Sequence, residues 1–309
     1  MSILEKAITK VTRVNDQREA TDHTPELVVA PRPYRRIGEI LKNQKKLTDE
    51  NIEHIATSQD KEGLYFGEAA IKLRLVSPED VQYALSCQFG YPYLRLNDGG
   101  ISKELSVAYE PFGEQAENYR VIRSQLLLNY LNKGDRSLAI VSPRKGDGRS
   151  YVAANLALVF AQCGKKTLLI DADFRGPRQH RIFNFTCRIG MSTILAGGMS
   201  KENMGHVPEN IPVFDSLSVL AAGLIPPNPA ELFSNGRFSL MLRELRRHFD
   251  IIIIDTPAGK YRADVEAICS AAGSALMVVR KDNTPMSEAK SLTASLINAN
   301  VNVVGSILN

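Results

Sequence analysis

The sequence predicts an α/β fold, a parallel sheet flanked by helices, with a small all-α domain ahead of it. Three observations predict this. Apolar runs at Ser137–Ser142, Thr167–Asp173 and His248–Pro257 have strand length and are spaced by longer helical patterns, as in βαβ units. The first run passes through a turn holding Gly146 and Gly148 into the helical pattern Tyr151–Cys163. Residues 36 to 88 repeat at a period of 29.

Residues 1–33 are polar and irregular after Met1–Val11, where Ile3, Leu4, Ala7, Ile8 and Val11 fall at helical spacing with Lys6 and Lys10 opposite. The segment reads as a flexible N-terminal tail, with a helix that docks on a partner or membrane surface as the alternative.

Residues 34–105 form the predicted helical domain. Its two units run from Arg36 to Gln59 and from Tyr65 to Gln88. Each reads as a helix, a turn capped by Thr48 or Ser77, and a second helix ending at glutamine. A capping box wants an acid three residues after the cap, so Asp80 completes it in the second unit and Asn51 breaks it in the first. The two units pack their apolar stripes into one small bundle.

Residues 106–309 carry the chemistry. In Val141–Ala154 the glycines let backbone N–H groups close around phosphate oxygens, and the helix that starts near Arg149 adds its positive end. Ser150 stands where a hydroxyl ligand for magnesium is expected. Two positions depart from the strict G-x-x-x-x-G-K-[ST] pattern, Pro143 for the first glycine and Arg149 for the lysine. Taken alone, the stretch reads equally as a tight strand-to-helix turn. The other two runs change that reading, because each ends in acid: Asp171 and Asp173 on one, Asp255 on the other. Ligands of a parallel sheet bind beyond the carboxyl ends of its strands, so these carboxylates face the phosphate loop. Only a cation makes such crowding tolerable, and magnesium (Mg2+) suits few carboxylates plus water and phosphate oxygens.

Composition agrees. The chain has 309 residues, 44% of them hydrophobic, enough for one sizeable core and a smaller domain. Its net charge of +4 is too small to argue for nucleic acid. Cys87, Cys163, Cys187 and Cys269 lack metal-ligand spacing and read as reduced core residues of a cytoplasmic protein. No run approaches the roughly 18 apolar residues of a membrane span, and no signal-peptide core opens the chain.

The order Ser142–Ser150, Leu169–Arg175 (Leu-Ile-Asp-Ala-Asp-Phe-Arg) and Ile253–Pro257 (Ile-Ile-Asp-Thr-Pro) resembles the Walker A, A′ and B set of bacterial tyrosine kinases, on the MinD/ParA-like P-loop fold. Glu117-x-x-Arg120-x-x-Arg123 resembles their oligomerisation motif, and Pro227–Leu232 their Asn-Pro-Ala-Glu-Leu segment. The resemblance runs from about Gln115 to Asn309. Gly-Arg-Ser in the loop and Pro177–His180 after the A′ strand resemble the EpsG-type chain-length-determinant kinases of exopolysaccharide clusters. Residues 88–94 resemble the exit of the N-terminal domain of type II secretion ATPases (GspE N-terminal, MshEN-like).

The resemblance implies an ATP-dependent protein tyrosine kinase with Mg2+. It assigns nucleotide binding to Gly146, Asp147, Gly148, Arg149, Ser150 and Tyr151, catalysis to Asp171, Asp173 and Arg149, and metal to Ser150, Asp173 and Asp255. Asp171 would accept the tyrosine proton or position the hydroxyl. It also implies a homo-oligomer through Glu117, Arg120 and Arg123, and a membrane polysaccharide co-polymerase as partner, which would hold a cytoplasmic protein at the inner membrane. Some members of the N-terminal family bind cyclic di-GMP; here Arg36, Gly38 and Gln59 fit that motif, while Lys45 and Arg74 replace its inner glycines and Tyr65 its second arginine, so a protein-interaction domain is the preferred reading and the dinucleotide the alternative. In place of the kinases' C-terminal tyrosine cluster the sequence stops at Asn309, with Tyr261 its last tyrosine, so Tyr119, Tyr151 or a partner's tyrosine is the expected acceptor. The alternative is a non-transferring MinD/ParA-like ATPase or nucleotide-gated scaffold. Arginine at 149 keeps the lysine's charge and adds a planar fork of donors, so nucleotide binding is expected and the turnover rate is left open.

Overall fold

The computed structural model describes residues 36–89, 91, 93–94, 100–131, 136–187, 189–198 and 201–309. The predicted tail 1–33, with Met1–Val11, lies outside the described residues, as do Gly90 and Pro92 of the 88–94 stretch.

Four helices come first: α1 (Ile37–Asn43), α2 (Asp49–Glu62), α3 (Phe66–Lys72) and α4 (Pro78–Gln88). They enclose a core of their own built on Ile40, Leu41, Leu47, Ile55, Ala69, Ala70, Val76, Val81 and Ala84. The helices pair across the repeat, α1 on α4 and α2 on α3, so neither unit buries its apolar stripe alone. One expectation is corrected. Asn51 does not break the first capping box: its Oδ1 accepts from Thr48 N at 3.0 Å while Asn51 N donates to Thr48 Oγ1 at 3.3 Å. An amide oxygen does here what Asp80 does for Ser77 at 3.0 Å in the second unit.

The rest of the chain builds a seven-stranded sheet from β1 (Ser137–Val141), β2 (Thr167–Asp171), β3 (Glu209–Asn210), β4 (Leu217–Leu220), β5 (Ile251–Asp255), β6 (Ser274–Val279) and β7 (Asn302–Leu308). The order is β3-β4-β2-β5-β1-β6-β7, parallel throughout except for the β3–β4 edge. Strands β1, β2 and β5 are buried at every position, as apolar runs covered on both faces must be. Their side chains alternate between two cores: Leu138, Ile140, Leu169 and Ile253 on one face, Ala139, Val141, Leu168 and Ile252 on the other.

The first face is covered by α5 (Ser106–Tyr109), α6 (Glu114–Asn129) and α7 (Arg149–Gln162). Nearly all of α7 is buried, because the sheet lies on one side of it and α5 and α6 on another. Four further helices are α10 (Pro229–Ser234), α11 (Arg237–Leu245), α12 (Arg262–Ala272) and α13 (Met286–Asn298), which pack on the second face; α8 (Gln179–Ile182) and α9 (Met191–Leu195) are short. The cysteines are not uniformly core residues. Cys269 is buried, Cys87 and Cys187 are half-buried, and Cys163 is exposed, because it caps the C-terminus of α7 where Gly164 turns the chain at φ 86°.

Candidate active site

Strand β5 sits between β1 and β2, and this order sets up the site. It makes Asp171 and Asp255 direct neighbours across the β2–β5 ladder and puts the end of β1, where the glycine loop begins, on the other side of β5. Gly146 at φ 89° and Gly148 at φ 102° adopt backbone conformations that a side chain would strain, and Gly148 caps the N-terminus of α7. The loop is fastened from behind. Asp147, fully buried, accepts from Arg144 N at 2.8 Å and Thr284 Oγ1 at 2.8 Å. Arg280 donates to the Gly146 carbonyl at 3.0 Å and Asn309 Nδ2 to the Asp147 carbonyl at 3.0 Å. Gly259 lets the β5–α12 turn approach the loop, its N–H 2.8 Å from the Ser142 carbonyl.

Arg149 does not project freely. Its side chain is only 6% exposed and lies within the loop. Nε donates to the Thr256 carbonyl at 2.9 Å, and Nη1 to the Arg144 carbonyl at 2.7 Å and to Ser142 Oγ. Nη2 lies 3.9 Å from Asp173 Oδ2. The guanidinium thus ties the start of the loop to the end of β5 while one nitrogen faces the carboxylates.

The three acids differ in surroundings. Asp171 is fully buried; Oδ2 accepts from the N–H groups of Arg178 (2.8 Å) and Gln179 (2.9 Å), and Oδ1 from Asp173 N at 3.3 Å. Burial, reinforced by Asp255, still holds its carboxyl above the ordinary range. Asp255 is equally buried and also shifted upward by desolvation, against the pull of Arg149, Ser150 and Gln179. Asp173 is partly exposed; Oδ1 accepts from Arg175 N and Gly176 N, both at 3.1 Å, and burial raises its carboxyl against Arg149. Its Oδ2 lies near the Arg149 guanidinium, and Lys145 adds a second positive charge nearby.

A divalent cation fits these residues. Asp255 Oδ1 is buried without a hydrogen-bond partner, an arrangement that is costly unless something positive meets it. The Ser150 hydroxyl lies beside the same carboxylate. Among the described residues no three His, Cys, Asp or Glu side chains are grouped to hold a metal. That donor set suits Mg2+, which takes one or two carboxylates and completes its shell with water and phosphate oxygens.

The structure therefore brings together Gly146, Asp147, Gly148, Arg149, Ser150, Asp171, Asp173 and Asp255. It does not bring in the Tyr151 side chain, whose hydroxyl donates to Gln115 Oε1 at 2.9 Å and lies 3.1 Å from Ser106 Oγ. Tyr119 is buried against it, its hydroxyl pushed far up by desolvation, so the ring would have to leave this packing to serve as acceptor. On α6, Arg120 bonds Glu117 (2.8 Å), Tyr91 Oη (2.7 Å) and the Pro111 carbonyl, and Arg123 bonds the Val159 carbonyl at 3.0 Å. In the helical repeat Arg36 is an exposed N-cap, Gly38 packs under Phe66, and Gln59 donates to the Leu64 carbonyl at 3.3 Å. Lys45 and Arg74 sit at φ 58° and 55°, in the left-handed region that favours glycine. Sequence reasoning missed Gln179, Asn283, Thr284 and Asn309. Gln179 lay inside the quoted Pro177–His180 stretch, but nothing in its spacing marked it out; the other three reach the loop only through the fold.

A family model described as ParA, NUBPL iron-transfer P-loop NTPase, matches residues 134–309. The putative tyrosine-protein kinase CapB of Staphylococcus aureus is 33% identical over 205 residues, 66% of this chain and 88% of CapB. Tyrosine-protein kinase YwqD of Bacillus subtilis is 33% identical over 217 residues, 70% of this chain and 90% of YwqD. The solved kinase domain of Escherichia coli tyrosine kinase ETK superposes with a TM-score of 0.64 at 29% identity, covering 70% of this chain and 84% of that one.

Proposed function

We infer that this chain, which belongs to the ParA-type P-loop NTPases and within them to the bacterial tyrosine kinases, moves the γ-phosphoryl group of ATP to a tyrosine hydroxyl. The observation that carries this reading is the meeting of the glycine loop with two neighbouring strand-end carboxylates, one of which keeps a buried oxygen without a partner. Phosphoryl transfer asks the protein for position and charge more than for covalent chemistry. The loop N–H groups and the α7 N-terminus hold the phosphates, and Arg149 supplies the positive charge. Ser150 and Asp255 would hold Mg2+, which when bound neutralises phosphate charge, and this leaves Asp173 for the hydroxyl. Asp171 has both oxygens engaged by backbone N–H groups and shapes the A′ turn. Asp173 Oδ2 is the oxygen open to an incoming hydroxyl, whose proton it takes as the bond from tyrosine oxygen to phosphorus forms and ADP departs.

We further propose an exopolysaccharide chain-length role beside a membrane co-polymerase. None of the described helices is long and apolar enough to cross a membrane, and such a partner would supply membrane location. Self-association through Glu117, Arg120 and Arg123 would exchange the contacts these residues make within the chain. Cyclic di-GMP at Arg36, Gly38 and Gln59 is tested by titrating the labelled dinucleotide against Arg36→Ala; equal affinities discard that site.

The central test incubates purified protein with magnesium ATP, with and without the cytoplasmic part of the co-polymerase, and probes for phosphotyrosine. Product lost on Asp173→Asn supports the kinase. ATP hydrolysis with no phosphotyrosine on either protein sinks it in favour of a non-transferring ATPase.

A further inference from the structure

Gln179 is the first residue of α8 and is fully buried beside Ser150 and Asp255. Its Nε2 donates to Asp255 Oδ2 at 2.8 Å and to the Ser150 carbonyl at 3.2 Å, and its backbone N–H donates to Asp171 Oδ2 at 2.9 Å. One residue therefore touches the Walker A helix, the A′ acid and the Walker B acid. The amide orientation follows from chemistry, since Nε2 is the only end of the group from which the Ser150 carbonyl can accept. This leaves Gln179 Oε1 buried with no partner, and Asp255 Oδ1 is in the same condition. The two orphans belong to groups that are hydrogen-bonded to each other, so they lie in one neighbourhood. Buried unpaired oxygens are each costly, and a pair beside a phosphate loop is an acceptor set waiting for positive charge and for the protons of ordered water.

We propose that Gln179 is a positioning residue of the divalent-cation site: its amide nitrogen fixes the Asp255 carboxylate for the ion, and its Oε1 accepts a hydrogen bond from a water bound to that ion. The inference rests on the nucleotide-site reading above and adds to it an outer-shell contact built from this chain's own residues.

The test uses the full chain and measures binding, not turnover. A fluorescent ADP analogue is titrated in the presence of a chelator, and Mn2+ binding to the protein–ADP complex is followed by electron paramagnetic resonance. Wild type is compared with Gln179→Met, which fills the space with an apolar chain, and with Gln179→Ala, which leaves room for a water. Loss of an outer-shell partner weakens metal binding about 10- to 100-fold, and this is the fall expected for Gln179→Met, with metal-free ADP affinity within about twofold of wild type. Gln179→Ala is expected to lie between the two, because water can replace the lost oxygen. A purely packing role gives the reverse order, with Ala worse than Met. That order overturns the inference, as does Mn2+ affinity in Gln179→Met equal to wild type, or equal losses with and without metal. Melting curves of both variants identify one that has unfolded, and the other then carries the comparison with wild type. A wild-type protein whose ADP affinity ignores metal sinks the nucleotide-site reading itself and this inference with it.

Discussion

Replacing Arg149 separates two jobs that the residue holds at once. Its side chain is almost wholly buried and gives hydrogen bonds to the Thr256 carbonyl, the Arg144 carbonyl and Ser142 Oγ. A lysine has one nitrogen at the end of its stem and cannot serve both the acceptor at Nε depth and those at Nη1, so Arg149→Lys leaves at least one buried oxygen unpaired. Such an orphan costs about 1–3 kcal/mol, which at about 2–3 °C per kcal/mol for a chain of this size lowers the melting temperature by roughly 2–9 °C. The charge survives, so nucleotide affinity stays within about tenfold of wild type, one tenfold step being about 1.4 kcal/mol. Arg149→Met loses charge and donors together; a hydrogen bond to a charged group is worth about 1.5–3 kcal/mol, and affinity falls roughly 10- to 100-fold. Thermal melts without ligand and a fluorescent-ADP titration with magnesium read the two effects separately. An Arg149→Lys protein that melts with wild type refutes the fastening role. An Arg149→Met protein that binds ADP like wild type refutes the phosphate role.

The buried carboxylates make the metal-free protein pH-sensitive. Asp171 and Asp255 are both held above the ordinary range by burial, so the folded state binds their protons more tightly than the unfolded chain does. Their stabilising contribution is present at low pH and is lost as pH rises through the raised values. Denaturant midpoints without metal should fall from about pH 4 to about pH 8, magnesium with ADP should flatten the profile, and Asp255→Asn should remove the smaller share of the slope together with the metal dependence of ADP binding, leaving the share set by the burial of Asp171. A flat metal-free profile contradicts this. Thr284→Val takes one donor from Asp147 Oδ1 and leaves Asn283 Nδ2 at 3.4 Å. At about 1.5–3 kcal/mol for a hydrogen bond to a carboxylate, ADP affinity should drop by up to roughly 10- to 100-fold if the whole loss reaches the site, and an unchanged titration would show that the loop after β6 does not shape the phosphate site.

How much of this was legible depended on whether the determinant was local. Strand length and all-round burial are written in Ile251–Ile254 and Leu168–Ile170, so β2 and β5 could be read directly, and the acids that end them followed. The glycine turn was legible because positive φ restricts the residue type at Gly146 and Gly148. The first capping box was misread, since the pattern asks for an acid and the Asn51 amide oxygen has the same reach. Cys163 was misread because an apolar neighbourhood in sequence ran to the end of a helix, and the last turn points into solvent. The tertiary ties of the site could not be read at all: Thr284 is 137 residues from Asp147, and Gln179 is 76 from Asp255.

Pro143 and Arg149, which looked in the sequence like two independent departures from the phosphate-loop pattern, act on one segment. Proline carries no N–H, so the loop loses a donor at the position where the pattern has glycine, and its fixed φ stiffens the entry. Arg149 supplies donors to the residues on either side of it, Ser142 through Oγ and Arg144 through its carbonyl. A lysine could not make that bracket, and a glycine at 143 would have less need of it. Pro143→Gly and Arg149→Lys should therefore couple. Each alone is expected to lower the melting temperature, and the double variant should lose less than the sum of the two, with an interaction of at least about 0.5 kcal/mol for residues sharing one network. Strict additivity in the four-protein cycle would mean that the arginine brackets the loop irrespective of the proline, and that the two exchanges were fixed separately.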